Sequence, residues 1–258
     1  MQDLLVKGRM AGESSLSVAG KTIVVTGGSS GLGLRMVEVL AANGANVVSI
    51  SRTAVPEGSC NPRILSIVGD VTKASDIERA FDEAESWKGT VTVLFNNAGV
   101  AEIIRAIDTT RDQLRRILEV NAEGAFFVAQ EAAKRMIAKG VGGSIVNLLS
   151  ILADTPIKGS TAYAMSKAAA SVMTRSMALE WAAHGIRVNA IAPGWFPTRL
   201  NEDLMDGPAR GFLKGKNPMR RLGEPQDIDG AVLMLASDAS SYITGTVITI
   251  DGGHSLQG

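Results

Sequence analysis

One cysteine and two histidines are too few to support several chemistries. Cys60 alone closes no intrachain disulfide, and with His184 and His254 as the only imidazoles no Cys/His cluster has metal-ligand spacing. The chain therefore reads as a cytosolic protein with no metal site. An excess of one charge is missing too. The 26 Lys and Arg balance 26 Asp and Glu, which argues against a nucleic-acid surface and against an acidic solvating tail. No apolar run of about 18 residues is free of charge, so no membrane-spanning helix is expected. Residues 1–18 scatter Asp3, Lys7, Arg9 and Glu13 among leucines, lack the apolar core of a signal peptide, and read as a flexible tail.

Valine and isoleucine, by contrast, recur in runs. Seven apolar stretches, at 21–27, 46–51, 63–70, 90–99, 143–150, 186–194 and 245–253, alternate with helical patterns at 32–43, 74–87, 111–120, 122–139, 162–183 and 226–237. Near-continuous apolar strands separated by helices predict an α/β fold, a doubly wound parallel seven-stranded sheet of Rossmann type, in a single domain over 19–258. The alternation breaks at 195–224. Prolines, glycines and large apolar residues there suit a substrate loop or lid following a strand's C-terminal end, or a plain surface connection.

Three features carry chemistry. The run Thr26-Gly27-Gly28-Ser29-Ser30-Gly31-Leu32-Gly33 turns the first strand into a helix, whose unpaired N–H groups and dipole favour a phosphate; a tight turn without ligand is the plainer alternative. Leu34-Arg35 stands where a P-loop needs Lys-Ser/Thr, and the glycine spacing departs from G-x-G-x-x-G. Tyr163 and Lys167 form an i,i+4 pair on one helix face, where an ammonium would favour the phenolate; in isolation a surface pair fits as well. Ser150 ends a central strand, and strand C-termini of an open sheet gather on the edge where ligands bind. A serine hydroxyl aimed at a carbonyl oxygen, beside a tyrosine able to protonate it, makes a carbonyl–alcohol redox site that needs a hydride-carrying cofactor. A serine hydrolase would need a base and a G-x-S-x-G elbow. The elbow is missing, and His184 and His254 read as capping or solvent-facing residues.

Taken in order, Thr26 to Gly33, Asp70-Val71, Asn96-Asn97-Ala98-Gly99, Asn121, Ser150, Tyr163-x3-Lys167 and Pro193-Gly194 resemble the motifs of the short-chain dehydrogenase/reductase family, in its single-domain branch, from about Gly20 to Gly253. The extended branch, with T-G-x-x-G-x-x-G and a longer substrate domain, does not match. The resemblance implies that Gly27, Gly31 and Gly33, with Ser29, Ser30 and Leu32, form the turn under a cofactor pyrophosphate. It also implies that Asp70 and Val71 border the adenine, and that Asn97, Ala98 and Gly99 stabilise the sheet beside the nicotinamide ribose. Asn121 then kinks a helix, its carbonyl holding a water of a proton relay. Ser150 orients the carbonyl, Tyr163 is the acid/base, and Lys167 lowers its pKa and holds the ribose. Ser51, Arg52, Pro193, Gly194, Phe196 and Thr198 complete the cofactor-binding set. Ser51-Arg52, with no acidic residue between 46 and 56, favours NADP(H), with NAD(H) possible; a solvated Arg52 is the plain alternative.

The substrate implied is a small to medium carbonyl, including 3-oxoacyl compounds, or its secondary alcohol. An NAD-dependent alcohol or sugar dehydrogenase, and a non-catalytic nucleotide-binding protein, are the alternatives. Ala164, Ala168, Ala169, Ala170 and Ser171 on one helix, and Ala125, Ala129, Ala132 and Ala133 on another, permit either close packing across a two-fold axis or packing on the sheet. The resemblance implies a homotetramer, with a dimer as the alternative.

Overall fold

The computed structural model describes residues 15–59, 61–198, 207 and 209–257. Its seven strands are β1 (Thr22–Thr26), β2 (Asn46–Ser51), β3 (Ile64–Val68), β4 (Val91–Asn96), β5 (Gly143–Leu148), β6 (Ile186–Pro193) and β7 (Val247–Ile250). All pair in parallel, in the order β3-β2-β1-β4-β5-β6-β7. The order reverses between β1 and β4, and at such a switch point the carboxyl ends of the strands leave a crevice.

Seven α-helices cover the sheet among the described residues: α1 (Gly31–Ala42), α2 (Ala74–Lys88), α3 (Arg111–Leu118), α4 (Ala125–Ala138), α5 (Thr161–Trp181), α6 (Ala209–Lys216) and α7 (Asp229–Ala236). The period of two along each strand splits the core into two layers. Ile23 and Val25 of β1 face α1 and α7, meeting Met36, Val37, Leu40, Val232 and Leu235. Val24, between them, faces the layer of α2, α4 and α5, with Phe81, Ala129, Met136 and Met177. Burial on both faces is why these strands are apolar at nearly every position rather than alternating.

Several expectations are revised. The helical patterns at 111–120 and 122–139 are joined by a π-helical turn, Glu119–Gly124, instead of separating at Asn121. The last strand stops at Ile250, short of 253, because Gly252 and Gly253 take left-handed φ values of 64° and 82° that leave the extended region. Residues 15–18, assigned to the tail, pack on the body: Val18 is fully buried, and the Ala239 N–H donates to Ser15 O at 2.9 Å. Residues 1–14 lie outside the described residues. No described helix is long and apolar enough to cross a membrane.

Candidate active site

The loop after β1 is shaped by backbone crowding. Gly27 has φ 68°, and a Cβ on it would lie 2.9 Å from Ala98 Cα and Asn97 Nδ2. A Cβ on Gly33 would collide with Gly27 O and Asn97 Nδ2. These contacts come from the next strand along: Asn97 Nδ2 donates to Thr26 O and Gly27 O at 2.9 and 3.1 Å. The buried Thr26 hydroxyl accepts from the N–H groups of Asn97 and Ala98, both at 3.0 Å. β1 and β4 are thereby locked at the switch point, with Thr198 against Gly31 on the other side. Ser30, the N-cap of α1, is exposed and makes no side-chain capping bond, so nothing of its own satisfies the first N–H groups of a 12-residue helix. The Leu32 and Phe196 side chains lie in the core layer of α1 and α7, so only their main chain can face the crevice.

At the end of β2, Ser51 is buried and its hydroxyl has no hydrogen-bond partner, while Arg52 beside it is exposed. Ser29 and Thr53 share a hydroxyl–hydroxyl bond of 3.0 Å that ties the glycine loop to this end. Asp70 closes the turn after β3 by accepting from Thr72 N–H and Thr72 Oγ1 at 3.0 and 2.9 Å, and Val71 is buried next to it.

Across the switch point, α5 carries Tyr163 and Lys167 on one face, both buried, and Ser150 follows β5. The Ser150 hydroxyl lies close enough to the Tyr163 phenol to draw its pKa down. The Ser150 hydroxyl also accepts from Leu152 N–H at 3.2 Å, which fixes its rotamer at the start of a short 3₁₀ turn. Asn121 occupies the π-helical turn. Its amide clamps Val100 by accepting from the N–H and donating to the C=O, both at 2.8 Å, and donates to Ser166 Oγ at 3.0 Å. Ser166 in turn donates to Tyr163 O at 2.6 Å, so the turn is wired to the helix that bears the phenol. Gly99 lies against both Asn121 and Lys167. Pro193 and Gly194 end β6, Gly194 packing on Asp251.

One electrostatic expectation fails. The lysine was expected to depress the tyrosine, but burial pushes the Tyr163 phenol up to about 12, opposed only by the Ser150 hydroxyl. Burial also lowers the Lys167 ammonium to about 8. Its Nζ stands 5.7 Å from the Tyr163 ring centroid and donates to Leu148 O at 2.6 Å. With both groups desolvated, neither charge is favoured, and a partner 5.7 Å away does not offset that.

The segment 195–224 supplies what the motifs did not. Trp195 and Leu213 of α6 form a buried layer with Tyr163, Ile151 and Leu152. Arg199, Leu200, Leu204 and Met205 fall outside the described residues. His184 is exposed after α5, as expected, but His254 is not solvent-facing: its Nε2 accepts from the Trp195 indole N–H at 3.1 Å. No signal near His254 in the sequence announces this, because its partner is 59 residues away.

Comparison with known proteins agrees with this geometry. The sequence profile of the family described as enoyl-(acyl carrier protein) reductase matches residues 15–255. L-rhamnose 1-dehydrogenase (NAD(P)(+)) of a Sphingomonas species is 35% identical over 243 residues, covering 91% of this chain and 96% of that protein. The NADP-dependent (R)-specific alcohol dehydrogenase of Lentilactobacillus kefiri is 36% identical over 248 residues, covering 92% and 98%. Among solved structures, a gluconate 5-dehydrogenase from Burkholderia cenocepacia in complex with NADP and tartrate superposes with a TM-score of 0.88 at 30% identity, over 95% of this chain and 98% of that one. The chain belongs to the short-chain dehydrogenase/reductase family, as a single-domain NAD(P)-dependent oxidoreductase acting on CH–OH groups.

Proposed function

We propose that the protein interconverts a ketone and a secondary alcohol, using NADP(H) in preference to NAD(H), with Tyr163 exchanging the proton at the carbonyl oxygen. The observation that carries this reading is the burial of Ser150, Tyr163 and Lys167 together, with the Ser150 hydroxyl acting on the phenol and Lys167 one turn on, at the same sheet edge as the uncapped start of α1. The residues present fit a nicotinamide dinucleotide. The crowded Gly27–Gly33 turn leaves backbone N–H groups for a pyrophosphate, and the unpartnered Ser51 hydroxyl lies where a ribose substituent would need a donor. Asp70, Val71, Asn97, Ala98, Gly99, Pro193, Gly194 and Thr198, which come at or after the carboxyl ends of β3, β4 and β6, would hold the rest of the cofactor. When bound, the nicotinamide supplies or accepts the hydride.

A phenol raised to about 12 keeps its proton throughout the neutral range, so Tyr163 is poised as an acid toward a ketone oxygen. Ser150, held by Leu152 N–H, donates to the same oxygen and stabilises the charge that develops there. Lys167, whose Nζ now donates to Leu148 O, would hold a ribose hydroxyl of the bound cofactor and return a proton to Tyr163. Asn121 supports the relay by holding Val100 and Ser166 in place. The NADP(H) preference rests on exposed Arg52, the Ser29–Thr53 hydroxyl pair, and the lack of any Asp or Glu between 46 and 56. A second reading, a sugar or polyol dehydrogenase, is favoured by the relatives that act on L-rhamnose and gluconate.

The oligomer proposed is a homotetramer, with a dimer as the alternative. Ala125, Ala129, Ala132, Ala133, Ala164 and Ala170 are buried within the subunit, whereas Ala168 and Ser171 are half-buried and Ala169 is exposed. Phe126, Phe127 and Ile137 of α4 and Met165, Val172 and Leu179 of α5 are exposed as well, Leu179 at 83%.

Purified protein should oxidise NADPH with a panel of ketones and 3-oxoacyl thioesters, and reduce NADP+ with secondary alcohols and polyols. No turnover with any member sinks the reading. Light scattering on the same sample reads the subunit number.

A further inference from the structure

His254 takes no part in the chemistry described so far, yet it comes up beside it. It follows the Gly252–Gly253 turn at the end of β7, and β7 pairs with β6 through Pro193 and Ile250, which brings the turn next to Trp195. The indole and imidazole meet edge-on at 81°, with centroids 6.1 Å apart. The His254 nitrogen that accepts from the indole, Nε2, bears no hydrogen, so the ring's proton is on Nδ1. That Nδ1 is buried and has no hydrogen-bond partner. The neighbouring Asp251 does not supply one: its carboxylate accepts from the N–H groups of Gly253 and Ser255 at 2.8 and 2.7 Å. A buried donor left unpaired is destabilising and uncommon, so one oriented by a fixed tautomer calls for an acceptor. Trp195, which sets that tautomer, packs in the same layer as Tyr163, Ile151, Leu152 and Leu213. Through Trp195 the imidazole adjoins the buried layer that holds the phenol.

We propose that His254 Nδ1–H is a specificity-determining donor for the substrate, binding a hydroxyl oxygen several bonds from the reacting carbon, and that the substrate is polyhydroxylated rather than a plain alkyl ketone or alcohol. This rests on the ketone–alcohol reading above and names the substrate class within it. His254 neither transfers a proton nor touches the hydride. Its contribution is to position the chain of the substrate, while Trp195 holds the imidazole in the donating tautomer.

The test compares the full-length protein with His254→Phe and His254→Asn, using a hexitol and the secondary alkanol of equal chain length, each with NADP+. The wild type should prefer the hexitol. His254→Phe should lower kcat/KM for the hexitol on the order of tenfold, mostly through KM, and leave the alkanol within about twofold. His254→Asn, whose amide N–H can stand near the Nδ1 position, should recover part of the loss. Equal loss on both alcohols would make His254 a structural support for Trp195 and overturn the proposal, as would no loss on either. A wild type that prefers the alkanol also overturns it, while leaving the ketone–alcohol reading intact. A wild type that oxidises neither overturns that reading and this one with it.

Discussion

The glycine loop and the buried layer around Trp195 solve opposite problems. At the loop the main chain does the positioning: Gly33 approaches Gly27 O so closely that no side chain fits, and Asn97 and Thr26 lock the two central strands together. In that layer, Tyr163, Trp195, Leu213 and His254 arrive from four separate segments and meet only through side chains. A surface of backbone tolerates no added atom but carries little information about what it binds beyond a phosphate. A wall of side chains tolerates exchange, and so it can decide which substrate enters. On the proposed reading, cofactor binding and substrate choice fall to different regions of the fold.

The largest test of that separation is Tyr163→Phe, which removes a hydroxyl and little else. Turnover should fall by about 10²–10⁴-fold while NADPH affinity, read by fluorescence titration, stays within about twofold. Loss of both together would mean that the two regions are coupled. Gly33→Ala is the converse change. Its Cβ collides with Gly27 O and Asn97 Nδ2, so the melting temperature should drop by the equivalent of about 1–3 kcal/mol and binding of both nucleotides should be lost. Retained binding would show that the loop can give way.

Lys167→Met sharpens the comparison from the stability side. Burial brings the folded-state pKa down from 10.5 to about 8, so the folded protein binds fewer protons than the unfolded chain between those values. Below about pH 8 the buried cation opposes folding by roughly 3 kcal/mol, and the opposition fades as pH rises toward 10.5. The variant should be inactive yet melt higher than the wild type at pH 7, with an advantage that shrinks through that window. A lower melting point at pH 7 would mean that the Lys167–Leu148 hydrogen bond outweighs the desolvation. The smallest effect belongs to the exposed edge of the loop region: Arg52→Ala should raise KM for NADPH by about tenfold and leave KM for NADH nearly unchanged. Equal shifts would remove Arg52 from cofactor choice.

These two regions also differ in how far they could be read from the sequence. The strands from 21–27 through 186–194, the glycine turn, and the i,i+4 pairing of Tyr163 with Lys167 were legible, because each depends on local periodicity or on residues within one turn of each other. The direction of the Tyr163 pKa was not. It depends on Trp195, Leu213 and Ile151 closing over the phenol, and none of them is near it in the chain. The alanines of α4 and α5 left two packings open for a related reason, since smallness permits close packing without saying whether against the sheet or against another subunit. The π-helical turn at Glu119–Gly124 escaped notice because one extra residue in a helix leaves almost no mark on an apolar pattern of period 3.6.

The sequence alone determined the parallel sheet, its order of motifs and the residues that bear chemistry, since backbone preference and periodic burial act over a few residues. Only the tertiary structure decided that burial raises the Tyr163 pKa and lowers that of Lys167, and that His254 accepts from Trp195. Desolvation and hydrogen-bond partnership are set by whichever distant segments come to rest against a group, and that is a property of the packed molecule.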